Sequence, residues 1–187
     1  MEKTAIVTDT NSALLPGNPY GIHLVPMPVI LDGECYFENS SITQEAFFTA
    51  LKNGAEVSTS QPSPGTLAEC WETLLEEYSD LVYIPMSAGL SGEFQTAAGL
   101  AKGYDGRVFV ADTRRVSVTQ RQAALDAARL ARLGTPAREI HAFLERDGRN
   151  SDIFVAVNTL ELLKKSGRVT PAGAALGSIL SIKPVLR

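Results

Sequence analysis

Two clusters of hydroxyl side chains are the groups in this sequence best suited to bind a ligand. The first is the segment 87–92, with the sequence SAGLSG. An apolar run from Leu81 to Met86 precedes it and predicts a buried parallel strand. A helix is predicted directly after it, so Ser87, Ser91 and the N–H of Gly92 lie near a helix N-terminus. Unpaired N–H groups and the helix dipole favour an anion there. On this segment alone, an N-cap role for Ser91 is the simpler interpretation.

The second cluster lies in the segment 57–64, with the sequence VSTSQPSP. Ser63 is a good N-cap, and Pro64 is a good first residue of a helix. A capped helix start explains these two residues. It does not explain Thr59, Ser60 and Gln61. The helix behind the cluster has the strongest amphipathic pattern in the chain, through Leu67, Cys70, Trp71, Leu74, Leu75 and Tyr78.

Four short apolar runs predict the buried strands that position these clusters. They are Thr4 to Thr8, Leu81 to Met86, Arg107 to Ala111 and Ile153 to Val157. Helical patterns separate the runs, which predicts an α/β protein with a mainly parallel sheet of about four strands. Polar residues follow each run: Asp9-Thr10, Ser87, Asp112-Thr113 and Asn158-Thr159. Ligands of open α/β sheets bind at this edge, so we expect Ser91 to contact a ligand as well as to cap a helix.

The segment from Ile22 to Leu31 is also predicted to be extended. Two prolines interrupt it, which favours an edge strand. Asp32-Gly33 predicts a hairpin turn into a second strand at Cys35 to Phe37. A helix capped by Ser41 or Thr43 should follow and end at Gly54, with Ala46, Phe47, Ala50 and Leu51 on its buried face.

The last third of the chain continues the alternation. An alanine-rich helix is predicted from Ser117 to Leu133, and another runs from Thr135-Pro136 to about Asp147. Asn158 with Glu161 resembles a capping box for a short helix that Ser166-Gly167-Arg168 ends. A further helix is predicted from Thr170 to Leu180, and a strand from Ile182 to Leu186.

Composition narrows the function classes. The 187 residues are 44% hydrophobic and carry 17 Lys and Arg against 21 Asp and Glu, a net charge of −4. This balance does not favour nucleic acid or an anionic membrane surface. No signal-peptide pattern or membrane-spanning run is found. Cys35 and Cys70 have neither metal nor redox spacing, so we expect a cytoplasmic protein with reduced thiols.

Catalytic and cofactor motifs are absent from the sequence. It has no Walker A motif, no G-x-G-x-x-G motif and no metal-ligand cluster. Gly89-Leu90-Ser91-Gly92 resembles a nucleophile elbow, but Glu93 replaces the second glycine of that motif. His23 and His141 are best interpreted as surface or structural residues. A hydrolase or transferase that uses Ser91 is therefore the less favoured alternative.

Taken together, these motifs resemble the DegV family of bacterial fatty-acid-binding proteins. The resemblance is carried by IVTD at 6–9, TSQP at 59–62, LSG at 90–92, VAD at 110–112, TLELLKKSGRV at 159–169 and LGSILSIKPVL at 176–186. It implies a non-catalytic protein that holds one long-chain fatty acid in a buried tunnel, without a cofactor. Thr59 and Ser91 would bind the carboxylate. The ligand would pass to an ATP-dependent fatty acid kinase, with Arg168 close to that exchange. Ser60, Ser87 and Gly92 complete the predicted ligand site.

The sequence departs from the family pattern in two places. Glu93-Phe94 stands where Thr-Tyr is more usual, and a carboxylate there is unfavourable for the ligand if it points inward. The segment 112–115 (DTRR) is bulkier than expected. Binding of a small phosphorylated ligand is another alternative, because the fold also resembles dihydroxyacetone-kinase-type domains.

Family members are longer than this chain by about one small domain. We therefore expect a ligand-binding lobe at residues 1–166, and a linker with the start of a second lobe at 167–187. The chain would be a fragment or a shortened relative. Its segment 168–187 has no further chain to cover it and is predicted to pack on a second copy as a homodimer.

Overall fold

A four-stranded parallel sheet organises the larger of two compact units in the computed structural model. The structure describes residues 3–38, 40–157, 160–168 and 185–186. The units comprise Met1–Ser151 and Asp152–Arg187. The sheet contains β1 (Thr4–Asp9), β2 (Ile22–Val25), β6 (Asp80–Ile84) and β7 (Val108–Val110) in the order β2-β1-β6-β7, with every neighbouring pair parallel. The predicted α/β class and mainly parallel sheet are confirmed.

Both faces of this sheet are buried, which explains the continuous apolar runs. Side chains on β1 and β6 alternate between two hydrophobic clusters: Ile6 and Val82 belong to one, Val7 and Leu81 to the other. The first cluster is covered by α4 (Ser117–Arg132) and α5 (Ala137–Gly148), the second by α2 (Pro64–Glu77) and α3 (Glu93–Ala101). Within the described ranges, no helix is both long and apolar enough to cross a bilayer.

The predicted helix and cap at Ser63-Pro64 are confirmed. Ser63 is the N-cap of α2, and its hydroxyl accepts a hydrogen bond from the N–H of Thr66. Leu67 and Trp71, on the inner face of α2, are fully buried. The other members of the predicted stripe, Cys70, Leu74, Leu75 and Tyr78, are partly buried against the same cluster.

The extended segment from Ile22 to Leu31 is two strands rather than one. β2 lies at the edge of the parallel sheet, as predicted. β3 (Pro28–Leu31) is instead the central strand of a separate antiparallel sheet, between β4 (Glu34–Phe37) and β5 (Val57–Thr59). Pro28, which has no N–H to donate, stands at the first position of β3, where a strand tolerates proline. The chain therefore passes from the parallel sheet to the antiparallel sheet at the segment that contains Pro26 and Pro28.

The predicted hairpin turn is confirmed, since Asp32 and Gly33 both have positive φ angles, 50° and 88°. α1 (Gln44–Lys52) is capped by Thr43, and Ser41 accepts a hydrogen bond from Phe37 N–H instead of capping the helix. The predicted buried face of α1 is wrong, because none of its residues is fully buried. α1 covers a small sheet whose own strands are half-exposed.

The second unit contains β8 (Val155–Ala156), α6 (Glu161–Lys165) and β9 (Val185–Leu186). β8 pairs antiparallel with β9 and does not belong to the parallel sheet. The predicted fourth buried strand at 153–157 is therefore wrong, and Phe154 is 68% exposed. A short apolar run cannot distinguish a strand in a large sheet from one in a two-stranded ladder. The predictions for Asn158 and for the helix at 170–180 lie outside the described residues.

Candidate ligand site at the carboxyl edge of the parallel sheet

Polar residues that follow three of the parallel strands meet at one edge of the sheet. The carboxylate of Asp9, at the end of β1, accepts hydrogen bonds from the N–H of Asn11 and of Met86, both at 2.7 Å. Asp112, after β7, accepts a hydrogen bond from the N–H of Ala88 at 3.3 Å. The loop after β6 is thus attached on both sides, and the predicted convergence of these strand ends is found.

The segment 87–92 is held in a compact turn. The carbonyl of Ser87 accepts hydrogen bonds from the N–H groups of Leu90 and Ser91, at 2.9 and 3.2 Å. The N–H of Ser87 donates to the carbonyl of Arg115 at 2.8 Å. Backbone contacts therefore fix both ends of the turn before any side chain is considered.

Ser91 lies one position before the cap of α3, so the predicted N-cap role is wrong by one residue. Gly92 occupies the N-cap with nearly helical angles (φ −73°, ψ −1°) and has no side chain to accept a hydrogen bond. The hydroxyl of Ser91 nevertheless accepts a hydrogen bond from the N–H of Glu93 at 3.1 Å. It therefore pairs one of the N–H groups that a helix start leaves open.

The two hydroxyl clusters of the sequence are neighbours in the structure. The Nε2 of Gln61 donates a hydrogen bond to the hydroxyl of Thr96 in α3 at 2.8 Å. A Cβ added at Gly92 would lie 3.2 Å from Gln61 Oε1, so the two segments approach closely at a glycine. We call the hydroxyl side chains of these segments the hydroxyl rim; its members are Thr59, Ser60, Ser87 and Ser91. Thr59 and Ser60 are exposed, whereas Ser87 and Ser91 are half-buried.

An apolar cavity of about 190 Å³ lies between the small sheet and α1. Its lining consists of Val29, Glu38, Ile42, Thr43, Gln44, Phe47 and Phe48. Thr59 is directly opposite Val29 in the β3–β5 ladder, so these two side chains stand on the same face of the sheet. Val29 therefore connects the lining of the cavity to Thr59, one member of the hydroxyl rim.

Arg168 belongs to the second unit, where it follows the end of α6. Its N–H donates to the carbonyl of Leu163 at 2.8 Å, and the N–H of Gly167 donates to Lys164 at 3.0 Å. With a φ of 73° at Gly167, this pattern is a Schellman motif that ends α6. The Arg168 side chain is exposed and donates to the carbonyl of Ser166 at 2.9 Å.

Beneath the rim lies a set of buried polar side chains, most of which the sequence analysis missed. Gln120 of α4 is fully buried. Its Nε2 donates to Asp9 Oδ2 at 3.0 Å, to Thr8 Oγ1 at 3.1 Å and to the carbonyl of Ile84 at 3.2 Å. A sequence signal for this role exists, because Gln120 is the polar member of a stripe that continues with Ala123, Ala124, Ala127 and Ala128.

Glu93 points inward from the first turn of α3 and is fully buried. The Tyr83 hydroxyl donates a hydrogen bond to its Oε1, while Oε2 has no hydrogen-bond partner among the described residues. Burial, together with the negative charge of Asp9, raises the pKa of Glu93 to about 8. We call these side chains the buried polar layer; its members are Thr8, Asp9, Tyr83, Glu93 and Gln120.

The proton of the acidic pair in this layer lies on Glu93. Burial raises the pKa of Asp9 as well, but its three hydrogen-bond donors, Met86, Gln120 and Asn11, oppose that rise. Glu93 accepts a single hydrogen bond, from Tyr83. The carboxylate with more hydrogen-bond donors keeps the charge, so Glu93 is a neutral acid near pH 7.

The segment 112–115, the other departure from the family pattern, anchors α5. Arg115 is nearly buried and forms an ion pair with Asp147 at 2.8 Å. Gly148 packs so tightly that an added Cβ would lie 2.4 Å from the carbonyl oxygen of Thr113. The bulk of this segment thus has a structural explanation.

Catalytic partners for Ser91 are not found in the described part of the chain. The ring of His23 packs edge-on against Tyr78, with 5.7 Å between the centroids. His141 Nε2 lies 3.0 Å from the carbonyl of Val110 and 3.5 Å from Glu145. Among the described residues, no group of three or more His, Cys, Asp and Glu side chains could hold a metal ion.

The fold and the carboxyl edge of its parallel sheet define an α/β protein. Hydroxyl side chains lie near the N-terminus of α3, and an apolar cavity lies beside the small antiparallel sheet. The family model described as "Uncharacterised protein, DegV family" matches residues 3–187. A DegV domain-containing protein of Deinococcus radiodurans is 35% identical over 185 residues, which cover 97% of this chain and 66% of the relative. The chain belongs to the DegV family and spans about two thirds of the length of such relatives.

Solved structures support the same assignment. A DegV family protein of Thermus thermophilus, whose structure concerns fatty acid binding, superposes with a TM-score of 0.88 at 36% identity. The match covers 98% of this chain and 67% of that one. DegV of Bacillus subtilis, a fatty acid binding protein, gives a TM-score of 0.85 at 30% identity and covers 100% and 68% of the two chains.

Proposed function

We propose that this protein binds a long-chain fatty acid, with the carboxylate at the hydroxyl rim. The observation that carries the proposal is the junction of two hydroxyl-bearing segments at the start of α3, made through Gln61 and Thr96. Hydroxyl groups and helix N-terminal N–H groups are suitable donors to a carboxylate. Membership in a family with fatty-acid-binding structures supports the same ligand class.

The buried polar layer supports an anionic head group. Glu93 is the acidic side chain nearest to Ser91 in the sequence, and its proton removes the repulsion that a second carboxylate would cause. The expected conflict between Glu93 and the ligand is thereby avoided near neutral pH.

The apolar cavity supports an acyl tail. Its lining includes Val29, opposite Thr59, so a carboxylate at the rim has apolar surface within reach. A volume of about 190 Å³ is below the range of about 300–1,000 Å³ that drug-sized ligands occupy. We therefore assign only one segment of the acyl chain to this cavity.

The proposed role is that of a carrier rather than an enzyme. The hydroxyl of Ser91 accepts a hydrogen bond from the backbone, and both histidines have other contacts. The carrier would present its ligand to an ATP-dependent fatty acid kinase, with Arg168 at the contact. Self-association through segment 168–187 also stays a proposal. The described part of its predicted strand pairs with β8, so that strand is not isolated.

Native mass spectrometry of the delipidated protein, with and without oleate, tests this function. We expect one oleate per chain and no turnover of a p-nitrophenyl ester. Ester hydrolysis that Ser91→Ala abolishes would support the serine-dependent enzyme instead. Uptake of glycerol phosphate without uptake of oleate would support the phosphorylated-ligand alternative.

A further inference from the structure

Glu93, a member of the buried polar layer, also contacts the hydroxyl rim. Its backbone N–H donates to the hydroxyl of Ser91 at 3.1 Å. Its side chain extends into the interior, where Tyr83 donates to Oε1. The ionisable carboxyl therefore belongs to a residue that bonds directly to Ser91, two positions from the proposed head-group contact.

The surroundings of Glu93 contain acidic or neutral groups and no compensating cation among the described residues. Tyr83 faces it from β6, and Asp9 acts on it from β1. From α2, the thiol of Cys70 acts on Tyr83, whose pKa burial and Glu93 raise well above its usual value, so Tyr83 stays neutral. The side chains of β7 (Val108–Val110), which packs against α3, are apolar.

We propose that ligand binding at the hydroxyl rim is linked to the proton on Glu93, so that loss of this proton weakens the binding of a carboxylate. This inference rests on the proposed function. The neutral carboxyl permits an anion at Ser91. The ionised carboxyl, which is buried and has an oxygen without a hydrogen-bond partner, repels that anion through a poorly screening interior.

The linkage is reciprocal. If ionisation of Glu93 weakens the ligand, a bound ligand must make Glu93 hold its proton more tightly by the same factor. Glu93 also occupies a position where the family pattern given above leads us to expect threonine. Proton-linked binding would then distinguish this protein from relatives that carry a neutral residue there.

Calorimetric titration with decanoate tests the proposal, because this ligand stays monomeric and ionised between about pH 6.5 and about pH 9.5. We expect the affinity to fall roughly tenfold across this range, the equivalent of one pKa unit of linkage. Decanesulfonate, whose head group does not titrate, should show the same fall. Glu93→Gln keeps an acceptor for Tyr83 but cannot ionise, so its affinity should not change with pH.

Glu139→Gln is the matched control, since Glu139 is an exposed glutamate in the first turn of α5. It should behave as the unmodified protein does. A pH-independent affinity of the unmodified protein, or an equal fall in Glu93→Gln, would overturn the linkage. If decanoate does not bind, the same pH series is made with oleate, read by native mass spectrometry. Absence of oleate binding at every pH would overturn the proposed function.

A direct titration covers the case in which Glu93→Gln does not fold. The carboxyl carbon of Glu93, observed by NMR in ¹³C-labelled unmodified protein, should titrate at higher pH when decanoate is bound. A titration that the ligand leaves unchanged would contradict the inference.

Discussion

The hydroxyl rim and the buried polar layer lie at the same sheet edge but differ in how their polar groups are paired. In the layer, side chains bond to one another across the fold, as Gln120 does with Thr8 and Asp9. In the rim, hydroxyls bond to backbone groups one or two residues away, as Ser91 does with Glu93. The layer therefore depends on the tertiary structure, whereas the rim keeps its hydroxyls near solvent, where a ligand can reach them.

This difference separates stability from binding. A buried polar group whose partner is removed loses hydrogen bonds that water cannot replace. A rim hydroxyl that is removed leaves groups that water can reach. Changes in the layer should therefore lower the free energy of unfolding, and changes in the rim should lower ligand affinity instead.

The largest expected effect is the pH dependence that Glu93 gives to stability. Its pKa is about 8 in the folded protein and 4.5 ordinarily, so the folded state binds the proton more tightly. The contribution of Glu93 to the free energy of unfolding should therefore be greatest below about pH 4.5. It should decline as the pH rises from there to about pH 8. The decline should total on the order of 5 kcal/mol.

Urea unfolding at a series of pH values measures this decline. Glu93→Gln should remove the part that Glu93 contributes, while the part from Asp9 persists, because burial raises the pKa of Asp9 as well. Glu139→Gln should retain the full decline. If the free energy of unfolding had the same pH dependence in the unmodified protein and in Glu93→Gln, Glu93 would have an ordinary pKa in the folded state. Glu93 would then not differ from an exposed rim residue in its effect on stability.

The next effect is the replacement of Gln120 by alanine. It removes three hydrogen bonds and leaves a cavity beside Asp9, so the free energy of unfolding should fall by about 3 kcal/mol. Gln122→Ala is the matched control on the same helix, since the Gln122 side chain is exposed and donates a hydrogen bond to Asp126 one turn along. It should cost less than about 0.5 kcal/mol. Equal losses in urea unfolding would contradict the structural role of the layer.

The smallest effect on stability should come from the rim itself. The double change Thr59→Ala, Ser91→Ala should lower stability by less than about 1 kcal/mol. Each single change should weaken oleate binding by about 1–3 kcal/mol, through loss of a hydrogen bond to a charge. Thr73→Ala is the control, because Thr73 is an exposed hydroxyl on α2. Unchanged oleate affinity in the double variant would refute the rim as the head-group site.

The sequence determined the features that depend on neighbouring residues. The Ser63 cap and the Asp32-Gly33 turn are local conformational preferences, and the structure has both. The strands β1, β6 and β7 are buried on both faces, so each is a continuous apolar run that the sequence alone reveals. Since parallel strands place their carboxyl ends at one edge, the convergence at Asp9, Ser87 and Asp112 was also predictable.

The tertiary structure decided whatever depends on a distant partner. Pro26 and Pro28 signalled an interruption, but only strand pairing showed that β2 and β3 belong to different sheets. An apolar run at 153–157 could not reveal that its partner would be the two residues of β9. Pairing across a sheet is a choice among competing segments, and periodicity within one segment carries no information about it.

The same reason explains the layer. Gln120 and Thr8 are 112 positions apart, and Tyr83 and Glu93 belong to different elements. Whether Glu93 would point outward as a charged residue or inward as a neutral acid depended on the space and the donor that β6 provides. Residue type and spacing determined that a carboxyl stands beside the hydroxyls; burial, which the tertiary structure creates, decided its charge.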